Sequence, residues 1–228
     1  MKIQINLQRF FEELESHLGS MGKTRDNLTV LFATKYLNAE KFVSFLDIAK
    51  QFDIDNLIIG ENRVQDWEGK YEWLRQKRPD LVGNFKAVMI GTLQKNKVNK
   101  ALEIFEEIHS VDSIDLAETI DKRVKKGRKI PIYLEVNVSG EERKHGFKSE
   151  ELDSSLRKLR LLKSLNVKGL MTMAPNTKDE AVVRNVFRTL RTLADQYNLK
   201  TSMGMSHDWK IAVEEGSDMV RIGSRIFQ

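Results

Sequence analysis

Cysteine is absent from the 228 residues, which excludes disulfides and any zinc site built on thiolates. That absence suits a reducing compartment. Proline occurs only three times, as Pro79, Pro131 and Pro175, each at or near the edge of a periodic segment. No proline-rich linker, low-complexity tract or repeat divides the chain, so a single domain over 1–228 is expected. No apolar run approaches the roughly 18 residues of a membrane span. The N-terminal stretch MKIQINLQRFFEELESHL sets acids among its apolar residues, unlike a signal peptide. These absences predict a cytoplasmic protein without membrane contact. Histidine occurs four times with no metal-ligand spacing, so no metal site is expected. The segment GSMGKT (19–24) offers Gly-Lys-Thr, but a phosphate loop needs glycine at position 17, where His17 stands.

What is present is a globular balance of 40% hydrophobic and 31% charged residues, enough to bury a sizeable core. The net charge is +5, and the densest basic run is KRVKKGRK (122–129). One reading is a phosphate or nucleic-acid patch. The other is the last turn of a helix, where cations oppose the dipole, ended by Gly127. No aromatic residue interleaves the run, which favours the helix end, and no nucleic-acid partner is expected.

Eight β-type runs recur: LTVLFA (28–33), NLIIG (56–60), KAVMIG (86–91), EIHSV (107–111), PIYLEVNV (131–138), VKGLMTM (167–173), KTSMGM (200–205) and MVRIG (219–223). Stretches with apolar residues every three or four positions alternate with them, at 39–52, 113–126, 149–165 and 179–197. Asp112-Ser113 and Ser149 read as helix N-terminus signals. Alternation of this kind implies parallel strands joined by helical crossovers, and eight units predict a closed (β/α)8 TIM barrel. The competing open, doubly wound sheet expects a glycine-rich first turn, whereas TKYLNAE follows the first strand here. A further helix over 6–21 precedes the first strand and should cover either the barrel's bottom or the seam beside the last strand.

A barrel gathers its chemistry at the C-terminal ends of its strands. Lys35 ends an almost wholly apolar run, which should aim its amine into the mouth. A desolvated, neutral amine can form a Schiff base with an aldehyde. The other reading is a lysine reaching along the strand end to water. At the last two exits, Ser206 follows Gly204 and Ser224 follows Gly223. Glycine admits close backbone approach and a serine adds a donor, as in a phosphate cup, though both pairs are also ordinary turn chemistry. His109 reads as a satisfied core residue, while His145 and His207 are possible ligand neighbours.

Several segments, in order, resemble motifs of one family: ATK (33–35), GENRVQ (60–65), IGTLQKNK (90–97), IHSVDS (108–113), VNVSGEERKHGF (136–147), GLMTMAP (169–175), SMGMSHD (202–208) and EEGSDMVRIGSRIF (214–227). This pattern is similar to the pyridoxal phosphate homeostasis protein family. The resemblance implies an alanine-racemase-like N-terminal barrel holding pyridoxal 5′-phosphate (PLP) as a Schiff base on Lys35. Ser206, Gly223 and Ser224 would hold the phosphate, Arg221 would face the pyridine nitrogen, and Asn62, Met203 and Gly204 would line the pocket. The implied role is carrying or buffering PLP for vitamin B6 homeostasis, with PLP-dependent apo-enzymes as acceptors and no catalytic residue. The alternative is a weak amino-acid racemase. An arginine opposite the ring nitrogen would keep it unprotonated and weaken carbanion stabilisation. The chain's end soon after Gly223 leads us to expect neither the racemases' second domain nor their dimer, hence a monomer.

Three segments depart from the family pattern: Ala87-Val88-Met89 stand where Trp-His-Phe is usual, His207 replaces an aspartate, and Thr34 precedes the lysine. They bear on the pocket rim rather than on the cofactor.

Overall fold

The computed structural model describes residues 2–52, 54, 56–141 and 145–228; positions 142–144 of the VNVSGEERKHGF motif lie outside the described residues. Helix α1 (Lys2–Ser20) leads into alternating elements: β1 (Thr29–Ala33), α2 (Ala39–Gln51), β2 (Ile58–Glu61), α3 (Val64–Lys77), β3 (Lys86–Met89), α4 (Val98–Ile104), β4 (Glu107–Val111) and α5 (Ile114–Arg123). Then follow β5 (Ile130–Glu135), α6 (Leu152–Leu159), β6 (Leu165–Met171), α7 (Glu180–Gln196), β7 (Lys200–Met205), α8 (Trp209–Glu214), β8 (Met219–Ile222) and α9 (Ser224–Phe227). The eight strands close in sequence order into a parallel barrel, with β8 returning to β1.

The pleat sorts side chains into two populations. Phe32 points outward and packs against Phe11 of α1 and Phe45 of α2, with ring centroids 6.4 and 5.3 Å away. Its neighbour Leu31 points inward, where it meets Val88 and Met219. The main core is therefore the layer between barrel and helices, and Phe10, Phe42, Trp67, Phe187 and Trp209 fill it. Short polar side chains cap the starts of α2, α5 and α7. Asn38 accepts from the Lys41 amide, Asp179 from the Ala181 amide and Ser113 Oγ from the Leu116 amide.

Helix α1 lies beside the last strand. Phe10 meets Trp209 of α8 edge-on, Asn6 Nδ2 donates to the Ile226 carbonyl at 3.0 Å, and Glu13 pairs with Arg225 of α9. Several expected elements are shorter, two of them markedly. The segment 149–165 is not one helix: a 3-10 turn (Ser149–Glu151) precedes α6, which ends at Leu159. The apolar stripe runs out there, since Leu161 is 77% exposed, and pairing of Leu165 with Ile130 claims the following residues for β6. Strand β5 ends at Glu135, beyond which Val136 makes one bridge to Phe147. The basic run at 122–129 holds the last residues of α5 and the turn after it. Arg128 there donates to the carbonyls of Leu102 and Phe105. No helix among the described residues is long and apolar enough to cross a membrane.

The floor of the barrel is polar. His109 is fully buried, its Nε2 lies 2.9 Å from Glu107 Oε2, and its ring stacks 4.1 Å from that of Tyr133. Its Nδ1 is buried without a partner. Burial pulls His109 below its usual range against the pull of Glu107. A neutral ring that donates from Nε2 and leaves Nδ1 as a bare acceptor satisfies this geometry. Burial also pushes the Glu107 carboxyl up, but hydrogen bonds from His109 and Lys86 outweigh it and hold the group at about 2.

Because this folded-state value lies below the unfolded one, the stabilisation is complete above about 4.5 and is lost as pH falls towards about 2. Glu107→Gln should therefore show a loss of stability across that window smaller than wild type by about 3 kcal/mol. Urea midpoints followed as a function of pH give the comparison, and parallel curves would contradict the assignment.

Candidate functional site

The first and last strands build one side of the barrel mouth. β1 ends at Ala33, two residues before the lysine, and Thr34–Tyr36 form a 3-10 turn closed by the Leu37 amide on the Thr34 carbonyl at 2.9 Å. Lys35 thus sits on the turn rather than on the strand. Its side chain is exposed, with Nζ 5.1 Å from the centroid of the Tyr36 ring. The sequence put Lys35 at the exit of the first strand with its amine aimed into the mouth; the structure places it on the turn just past that strand, with its side chain exposed.

Across the β1–β8 seam, Phe32 pairs with Ile222. That register brings Gly223 against the lysine's turn. A Cβ on Gly223 would lie 3.0 Å from the Ala33 carbonyl oxygen and 3.1 Å from the Tyr36 ring, so the glycine permits the approach. Gly223 opens α9, and its amide and that of Arg225 both donate to Ser206 Oγ, at 3.2 and 3.3 Å. Two backbone donors thus converge on one oxygen at the mouth, with Ser224 between them. Oriented amides of this kind are anion donors. Ser206, Gly223 and Ser224 are therefore brought together beside the turn of Lys35.

Arg221, two residues before Gly223, points into the barrel. Nη1 donates to the Ser202 carbonyl and hydroxyl at 2.7 and 2.8 Å, and Nη2 to the Thr172 carbonyl at 2.8 Å. Burial lowers its pKa to about 10, with Asp208 and Glu135 countering as nearby carboxylates. It remains a cation at neutral pH, fixed by the ends of β6 and β7. Asp208, the aspartate kept in its motif, accepts from the Met205 amide at 2.5 Å, whereas His207 beside it is exposed.

The opposite side of the mouth is a cavity of about 660 Å³ between the ends of β2, β3, β5 and β6, lined by Asn62, Thr92, Gln94, Lys97, Glu135 and Met173 among others. Asn62 is thus on the mouth but apart from the seam residues. Burial raises the Glu135 carboxyl, aided by Asp112 and opposed by Arg221 and His145. Met203 does not join them. It is fully buried in the outer core layer, because the pleat turns Ser202 inward and its neighbour outward. Gly204 sits at a register shift of β7 with φ +93, and a Cβ there would strike Ala212 at 2.4 Å, so it too faces α8. Of the remaining histidines, His145 lies 3.8 Å from Asp112 and is largely exposed. Among the departures, Ala87 and Val88 are buried in β3, and Met89 lines the cavity. Among the described residues no cluster could hold a metal ion.

The family model for the alanine racemase N-terminal domain matches residues 70–228. The pyridoxal phosphate homeostasis protein of Aquifex aeolicus is 36% identical over 97% of this chain and 95% of its own length. The chain belongs to the pyridoxal phosphate homeostasis protein family. Its solved neighbours include an unknown protein from Bifidobacterium adolescentis, 31% identical with a TM-score of 0.87 over 99% of this chain and 94% of that one. PipY of Synechococcus elongatus, solved with PLP bound, is 29% identical with a TM-score of 0.77 over 94% of this chain and 99% of its own. The family's barrel is the alanine racemase N-terminal type, and α1 is an addition before its first strand.

Sequence reasoning missed the residues that support the turn of Lys35 from behind. Glu61 is fully buried although charged. An acid closing the apolar run NLIIG was the available signal. For Arg221 the guanidinium fork is what matters, since one ammonium cannot span the Ser202 and Thr172 carbonyls. Arg221→Lys should cost about 1–3 kcal/mol through a buried acceptor left bare. Urea unfolding at neutral pH measures it, and an unchanged midpoint would show that the fork is dispensable.

Proposed function

We propose that this protein binds PLP at the barrel mouth and carries it, holding it as a Schiff base on Lys35, as part of vitamin B6 homeostasis. When bound, PLP supplies an aldehyde and a conjugated ring that can accept electron density. Lys35 would supply the primary amine that holds the aldehyde carbon, a C=N bond replacing C=O with the loss of one water. The amides of Gly223, Ser224 and Arg225, with the hydroxyls of Ser206 and Ser224, hold the phosphate. Arg221, held in place by the Ser202 and Thr172 carbonyls, would face the ring nitrogen and could not protonate it as a carboxylic acid would. Asn62 lines the pocket from β2, and β7 contributes backbone at Met203 and Gly204.

The observation that carries this reading is the convergence of the Gly223 and Arg225 amides on Ser206 Oγ, with Gly223 packed on the turn that bears Lys35. An anion donor set and a primary amine meet on one rim, as a phosphorylated aldehyde requires. The relatives' name and the PLP-bound state of PipY support the same ligand. Transfer to cytoplasmic apo-enzymes, by a monomer and without turnover of its own, completes the proposal.

Adding PLP to the purified protein should give a yellow species that borohydride fixes on Lys35, located by peptide mapping. Lys35→Ala should abolish it. A linkage that survives in Lys35→Ala would overturn the cofactor assignment. Turnover of D- or L-amino acids at about 1 per second or faster would replace the carrier with an enzyme.

A further inference from the structure

Behind the turn of Lys35, between the barrel wall and helices α2 and α3, lies a buried ion pair. Glu61 closes β2 and is 0% exposed; Lys70, two turns into α3, is 8% exposed. The Lys70 ammonium contacts Glu61 Oε1 directly and also donates to the Thr34 carbonyl at 3.1 Å. Thr34 Oγ1 donates to the same Glu61 oxygen at 2.7 Å. The Phe42 ring of α2 lies 6.0 Å from the ammonium. Glu61 Oε2 is buried without a partner. The three residues therefore fill a polar gap between the barrel wall and helices α2 and α3.

Stability does not account for such a pair. Taking both charges out of water is expensive, and apolar residues of similar volume commonly hold a protein together as well or better. One carboxylate oxygen left bare adds to that expense. What the network does achieve is local. Two of its hydrogen bonds end on Thr34, one on its hydroxyl and one on its carbonyl. The carbonyl belongs to the peptide that joins Thr34 to Lys35. From the opposite side, Gly223 packs against the Ala33 carbonyl and the Tyr36 ring. The turn is gripped between the phosphate donors and the ion pair.

We propose that Thr34, Glu61 and Lys70 form a positioning network for Lys35. They hold the turn so that the amine meets the aldehyde of a ligand whose phosphate is seated at Gly223–Arg225. The inference rests on the proposed Schiff base at Lys35. An exposed lysine on a free turn would explore many positions, and misplacement by about 1 Å can cost about a hundredfold in rate. Fixing the peptide before it restricts that search while leaving the side chain free to react and release. Glu61 and Lys70 touch neither ligand nor reacting atoms; they act through the backbone of Thr34.

The double variant Glu61→Leu/Lys70→Met separates positioning from structural support, since removing both charges leaves neither unpaired. Its unfolding midpoint should match or exceed that of wild type. On mixing with PLP, its yellow species should form at least about tenfold more slowly. Affinity for pyridoxine 5′-phosphate, which carries the phosphate but no aldehyde, should stay at the wild-type value. Thr34→Ser, which keeps both hydrogen bonds, should react at the wild-type rate, while Thr34→Val, which loses the hydroxyl, should be slowed and serves if the double variant fails to fold. Wild-type rates in both the double variant and Thr34→Val would overturn the inference. So would a parallel loss of rate and of pyridoxine 5′-phosphate affinity, which marks general damage to the site. If wild type itself forms no linkage at Lys35, the proposed function falls and this inference with it.

Discussion

The seam between β1 and β8 is the constraint on which the site depends. Parallel pairing of Leu31 with Arg221 and of Phe32 with Ile222 closes the barrel and fixes the height of two exits distant in sequence. One step of slippage would turn every side chain of β8 to the other face. Arg221 would leave the interior for the apolar layer under the helices, and Gly223 would no longer meet the Ala33 carbonyl. The register is secured from both sides. Outside, Phe32 is held by Phe11 and Phe45; inside, Leu31 and Met219 share one apolar cluster. Helix α1 adds a second hold, since it binds the carbonyl of Ile226 and the side chain of Arg225 just beyond β8. The added helix thus braces the segment that supplies the converging amides.

Around this seam the protein buries charge where apolar packing would serve stability equally well. Arg221 is fixed by three acceptors on β7 and just past β6, Glu61 and Lys70 by each other and by Thr34, and the Glu107 carboxylate by His109 and Lys86. Each buried group has named partners, as burial of ions demands. Their placement is not uniform. The Arg221 fork and the Glu61–Lys70 pair flank the lysine's turn, one inside the barrel and one outside it. The Glu107–His109 pair closes the far end. Polar order is thus concentrated at the mouth and the floor, while the helix-facing layer between them is aromatic and aliphatic.

Much of this was legible in the sequence, and particular residues show why the rest was not. The strand at 107–111 is read with its true limits because both edges carry polar residues that cannot continue the run. Ser206, Gly223 and Ser224 were readable as a group because a barrel places its last two exits side by side. Lys35 was readable as a mouth residue at the exit of the run 28–33, but the 3-10 turn that carries it was not, since the hydrogen bond from the Leu37 amide to the Thr34 carbonyl has no signature in ATK. Met203 was placed on the pocket because the motif is contiguous, whereas the pleat alternates and sends its side chain outward. Glu61 was visible at a strand exit without its partner, since Lys70 is supplied by a helix turn that no strand pattern reveals.

The exposure of Lys35 bears on what kind of protein this is. An enzyme that works on a bound intermediate gains by excluding water from the reacting carbon. A carrier needs the reverse, because release of an aldehyde from a lysine consumes one water in the step that loading set free. Here the lysine stands on the rim, against an exposed tyrosine ring, and a cavity opens between four strand ends on the opposite side of the mouth. The structure combines a fixed backbone at the turn with an amine that water reaches. In the proposed carrier, anchoring of the peptide and of the phosphate would favour capture and an open linkage would favour delivery, without any movement of the barrel.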